Sequence, residues 1–142
     1  MVRVMRVILG LLKGGLVGAA VGGLALQIGV AGGVAAVVSY ALVGGLTGIL
    51  CGRPPWRQDT LWTSALKGIF GIAVGVGLYF LARKLLGGVH LALAARLGAP
   101  DRPLGELPIV LGPAIGALWG IFVEVDDAGS TPDAKPAPAP KK

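Results

Sequence analysis

Five ionisable side chains stand inside or at the edge of long apolar runs: Lys13, Lys67, His90, Glu106 and Glu124. An ion in hydrocarbon must pair, reach water or take part in transport, so each is a functional hypothesis by its position alone. Lys13 and Lys67 lie about two turns inside their segments, close enough for a long flexible side chain to snorkel to the headgroups. Glu106 and Glu124 bracket an uncharged run and read as its boundary charges. His90 could titrate near neutral pH, but it is the only histidine. No two-histidine metal site is available, and an interfacial position with no special task is expected.

The remaining chemistry is sparse. Cys51 is the single cysteine, which excludes an intrachain disulfide and a paired-cysteine metal site. No glycine-rich phosphate loop, nucleophile elbow or paired carboxylates stand in the sequence, so neither an enzyme nor a cofactor or metal is expected. The net charge of +6 comes from basic residues scattered at segment ends. Nucleic-acid binding calls instead for a basic patch with interleaved aromatics, and is not expected.

Those residues are positioned by apolar segments. Of 142 residues, 54% are hydrophobic and 14% charged, and mean hydropathy is +0.78. The excess lies in uninterrupted runs that a water-exposed surface does not tolerate and a lipid bilayer requires. Residues 14–52 carry no charge; as helix they would extend about 58 Å, or two crossings of a core roughly 30 Å thick. Gln27 and the glycines at 29, 32 and 33 mark the turn between them. The fold class is therefore an all-α membrane protein: four glycine-rich transmembrane helices near 7–27, 31–51, 61–82 and 107–125, plus a short interfacial helix. That helix is placed at 83–98, too short to span. Residues 52–60 form a loop, Tyr79 and Phe80 stand at the exit of the third span, and Pro113 is expected to kink the fourth. The bundle occupies 1–125, and 126–142, rich in Ala, Pro, Asp and Lys, reads as a disordered tail.

Glycines recur every four residues at Gly10, Gly14, Gly18 and Gly22, at Gly44, Gly48 and Gly52, and at Gly112, Gly116 and Gly120, with a shorter pair at Gly71 and Gly75. A step of four residues turns a helix through about 400°, so each series stays near one face. Helices in lipid associate through close contact rather than hydrophobic burial, which makes these faces, glycine zippers, the expected packing surfaces. They can be filled within one chain or between copies, and a homo-oligomer is the expectation.

The first hairpin resembles the ring-forming two-helix subunit of rotary ATP synthases in its spaced glycines. That family requires a carboxylate in its second helix, and 31–51 has none. Small four-span multidrug exporters depend on a glutamate in their first helix, which is also missing here. Nine basic residues fall on the side of the N-terminus, the 52–60 loop and the tail, against four on the other; this places both termini in the cytoplasm, in the cytoplasmic membrane. The expected role is a structural or assembly module that packs through glycine faces in the lipid bilayer, against its own copies or within a larger membrane complex. The alternative is a small channel or transporter subunit.

Overall fold

The structure is a computed structural model that describes residues 1–30, 32–52, 61–89, 96 and 102–129. It contains α1 (Val2–Gln27), α2 (Gly33–Leu50), α3 (Leu61–Leu86) and α4 (Pro108–Gly129), with a 3-10 turn at Leu104–Glu106 before α4. Among the described residues there is no strand. All four helices are long and apolar enough to cross a membrane. The 18 residues of α2 span about 27 Å, and the 26 residues of α1 and of α3 about 39 Å.

Three ends differ from expectation. α1 begins at Val2, so Arg3 and Arg6 belong to the helix. α3 runs to Leu86 and takes Arg83 and Lys84 into its last turn, where cations complement the negative end of the helix dipole. These two residues were expected in the interfacial segment; of the rest, 87–89 form a turn and end and Arg96 is described, while His90 and its neighbours lie outside the described residues. α4 continues through Asp126 and Asp127 to Gly129, past the expected start of the tail. Acids at a helix C-terminus oppose the dipole, and at Asp127 a lysine from α3 offsets that cost. The remaining tail, 130–142, and residues 53–60 of the loop also lie outside the described residues.

The helices form two antiparallel pairs, α1 with α4 and α2 with α3, and α2 also touches α1 and α4. The turn from α1 to α2 uses Gly29, Gly32 and Gly33 at φ of 72°, 93° and 65°, a left-handed region closed to most L residues. The Val30 N–H closes it onto the Ala25 carbonyl at 2.8 Å. In the centre, Tyr40 and Tyr79 stack with ring centroids 4.9 Å apart, packed with Ala36, Val43 and Ile115. Tyr79 is thus a core residue rather than an interfacial anchor, because the helix extends beyond it and its face turns toward α2; Phe80 remains exposed.

Glycines set the spacing of both pairs. A Cβ at Gly10 would lie 2.5 Å from the Gly120 carbonyl oxygen, and one at Gly112 would lie 2.7 Å from that of Gly18. Gly14 and Gly116 face each other even more closely, and Gly22 meets Pro108. In the other pair, Gly44 meets Gly71, Gly75 meets Tyr40 and Gly48 meets Lys67, all backbone to backbone. The faces that a second copy could have filled are filled within the chain. α4 is one continuous helix across Pro113, whose nitrogen stands 2.6 Å from where a Gly18 Cβ would be.

Candidate functional site

Antiparallel pairing brings the start of α1, the end of α2, the start of α3 and the end of α4 to one end of the bundle. The apolar spans leave few polar groups there, and they converge. Lys13 Nζ donates to Glu124 Oε1 at 2.7 Å, across 111 residues of sequence. The Gly52 N–H donates to the same oxygen at 2.9 Å. One carboxylate thus fastens α1, the end of α2 and α4 together. The Glu124 side chain is 8% exposed and that of Lys13 is 42% exposed, so the acid depends on its donors more than the lysine depends on the acid.

A second pair lies beside it: Lys67 of α3 donates to Asp127 of α4. Rather than reaching to headgroups alone, both lysines are held by acids from α4. Glu124 is not a solvated boundary charge but a buried partner. Gly52, expected on the α2 packing face, lies beyond the helix at φ 80°, where a Cβ would collide with the Asp127 carboxylate and come within 3.3 Å of Val123. Cys51 is buried between these groups; burial first and the Glu124 charge second push its thiol up to about 11, with Lys13 acting in the opposite sense.

The opposite end holds Glu106, whose carboxylate stands 3.6 Å from Arg83 Nε. Gly32 packs against Glu106 and Arg102. The Tyr40 hydroxyl donates to the Gly105 carbonyl at 3.5 Å, and the Leu104 N–H to that of Val89 at 2.9 Å. These contacts tie the segment before α4 onto α2 and α3. Within α2, Ser39 donates to the Ala35 carbonyl at 2.9 Å, and Thr47 Oγ1 has no partner among the described residues.

α3 and α4 separate along one side and leave a lateral cleft. A groove of about 400 Å³ is lined by Leu66, Lys67, Phe70, Trp119, Phe122, Val123 and Asp126. A second groove of about 340 Å³ continues from the same three aromatic rings to Val74, Leu78 and Leu118. Trp119 stacks on Phe122 with centroids 5.7 Å apart and tilts against Phe70 at 6.0 Å. Its indole nitrogen comes within 2.8 Å of where a Gly71 Cβ would stand, and it finds no acceptor among the described residues.

The sequence reading singled out neither Asp127 nor the aromatic wall. Asp127 was assigned to the tail on composition, and a signal for it existed in the lysine inside α3 that needs a counter-charge. For Trp119 and Phe122 the signal was their spacing of three residues, which puts both on one helix face. Among the described residues no three His, Cys, Asp or Glu cluster to hold a metal. The chain matches no family model, no curated protein and no solved structure.

Proposed function

We propose that this chain is a structural or assembly module of the membrane, a glycine-zipper bundle that holds its own shape and associates with other membrane components through its outer faces. What supports this reading most is the filled centre: the Tyr40 and Tyr79 rings with Ala36, Val43 and Ile115 occupy the space a pore would need. The zipper faces act inside the chain, so association with a larger membrane complex falls to the cleft and the apolar exterior. A homo-oligomer would use those same surfaces. The nine-to-four distribution of basic residues supports cytoplasmic termini in the cytoplasmic membrane.

A transporter is the second reading, and the Lys13–Glu124 pair inside the helices favours it, since buried ion pairs in membranes often mark solute or proton paths. Reconstitution separates the two. The module reading predicts ion and solute flux equal to that of empty liposomes, and a detergent-corrected mass that reports whether one chain or several assemble. Flux above empty liposomes that disappears in Glu124→Gln would overturn it.

A further inference from the structure

We propose that the bundle is a hinged clip. The α1–α4 and α2–α3 pairs turn as two rigid bodies about the end that holds Glu106, and the Lys67–Asp127 ion pair latches them at the other end. This goes beyond the module reading and does not rest on it.

Each pair is rigid because it closes backbone on backbone. From Gly10 to Gly22, α1 lies on the backbone of α4, and from Tyr40 to Gly48, α2 lies on that of α3, with no room for a Cβ at the glycines between. Contact from pair to pair is made by side chains instead: Tyr40 and Tyr79 pack with Ile115, and Cys51 packs with Trp119 and Val123. Such layers can switch between discrete packings, which backbone seams cannot. Thr47 stands between Val43 and Cys51 on the α2 face that meets α4. Its Oγ1 and the Trp119 indole nitrogen are buried without a partner among the described residues. The closed state therefore carries a desolvation cost that opening relieves.

Chain connectivity places the hinge. Two connections join the pairs, 28–32 from α1 to α2 and 87–107 from α3 to α4, and both lie at the Glu106 end. In the first turn Gly29 and Gly33 have positive φ and nothing within 4 Å of their Cβ positions, so their dihedrals can change without a clash. The Tyr40 hydroxyl on Gly105 and the Leu104 N–H on Val89 hold the same end together. At the other end no connection crosses, because the 52–60 loop joins α2 to α3 and the start of α1 lies with the end of α4 in one pair. There the pairs are tied by acids of α4: Asp127 accepts from Lys67 of α3, and Glu124 accepts from the Gly52 N–H after α2. The larger groove between α3 and α4 opens beside this latch, at Lys67 and Asp126.

The full-length protein with Cys51→Ser, in lipid nanodiscs, carries spin labels at two exposed positions, one on each pair. Leu9→Cys with Trp62→Cys reports the latch end, and Leu24→Cys with Leu85→Cys the hinge end. Double electron–electron resonance reads both distances. From Pro108 to Asp127, α4 is about 30 Å long, and a rigid-body rotation of about 15° moves its far end by about 8 Å. Lys67→Gln should therefore lengthen the distance from position 9 to position 62 by about that much and leave the distance from 24 to 85 unchanged. Lys67→Arg keeps the charge and should change neither. A second measurement leaves the latch intact. Ala36 and Thr47 are both wholly buried and stand equally far from the two ends of α2. In the Cys51→Ser background, Thr47→Cys should react with N-ethylmaleimide about tenfold faster than Ala36→Cys, because opening at the latch exposes it more often. Equal lengthening at both ends, no lengthening in Lys67→Gln, or equal labelling of positions 36 and 47 would rule the clip out, the first by showing that the bundle loosens as a whole.

Discussion

At the scale of single residues, Glu124 joins α4 to two other parts of the bundle. Its carboxylate accepts from Lys13 and from the Gly52 N–H. Removing Lys13 leaves a carboxylate 8% exposed with one donor fewer, whereas removing Glu124 leaves a lysine 42% exposed that can turn to water. Lys13→Ala should therefore destabilise more than Glu124→Gln, whose amide oxygen still accepts from Gly52. The difference should be about 1–3 kcal/mol, the usual cost of a buried polar group left unsatisfied, read as thermal unfolding in detergent. The reverse order would show that the pair contributes little. Cys51 gives a pH test. The thiolate is the nucleophile, and a thiol raised from 9.0 to about 11 holds about a hundredfold less of it at pH 8. Maleimide labelling of the folded protein should be slow at pH 8 and accelerate as pH rises toward 11, while the denatured chain labels quickly. Rapid labelling at pH 8 in the folded state would contradict the burial.

At the scale of elements, not all glycines in a glycine-rich helix do the same work. Gly14, Gly18 and Gly44 face partner backbone too close to admit a Cβ, whereas a Cβ at Gly15 would lie 3.9 Å from the Ala117 Cβ and the Pro113 carbonyl oxygen and one at Gly23 would lie 3.8 Å from the Ile109 Cδ1, ordinary contact distances. Gly77 has nothing within 4 Å. Gly14→Ala, Gly18→Ala and Gly44→Ala should each destabilise the fold by at least about 1–3 kcal/mol through overpacking. Gly15→Ala, Gly23→Ala and Gly77→Ala should be neutral or stabilising by up to about 1 kcal/mol, from the better helix propensity of alanine. Unfolding midpoints across the six variants decide the matter; if the two groups overlap, close backbone contact is not what holds the pairs. Propensity alone would rank all six alike.

At the scale of the whole molecule, the chain pairs its first helix with its last. Gly15 and Ala117 come within 3.9 Å at the Cβ positions, inside the range a disulfide requires. In a Cys51→Ser background, Gly15→Cys with Ala117→Cys should oxidise to an intrachain bridge that shifts the protein's mobility on a non-reducing gel. Gly77→Cys with Ala117→Cys should not. Bridging by the second pair and not the first would refute the α1–α4 pairing. This pairing also explains the cleft: with α1 on α4 and α2 on α3, α2 fills the angle between the pairs and leaves α3 and α4 apart on the outer side.

Four apolar helices and their approximate bounds were legible in residue order, because lipid imposes length and hydropathy on each segment separately. The spacing of the glycines also marked which of them share a face within the helices, with Gly52, which lies beyond α2, as the exception. Neither kind of pattern carries partner identity: a groove that admits one backbone admits any, so whether Gly14 meets Gly116 or a second copy depends on how four helices close around one another. The charges follow the same rule. Lys13 and Lys67 were visible as ions in apolar runs, but of the acids that hold them Glu124 reads as a boundary charge and Asp127 as part of a tail, and nothing local in the sequence assigns either to its lysine. Local pattern determined the segments, since each must satisfy its own backbone hydrogen bonds in lipid. Tertiary structure alone decided the ion pairs and the cleft, since both are made by residues far apart in sequence on helices that meet only when the bundle closes.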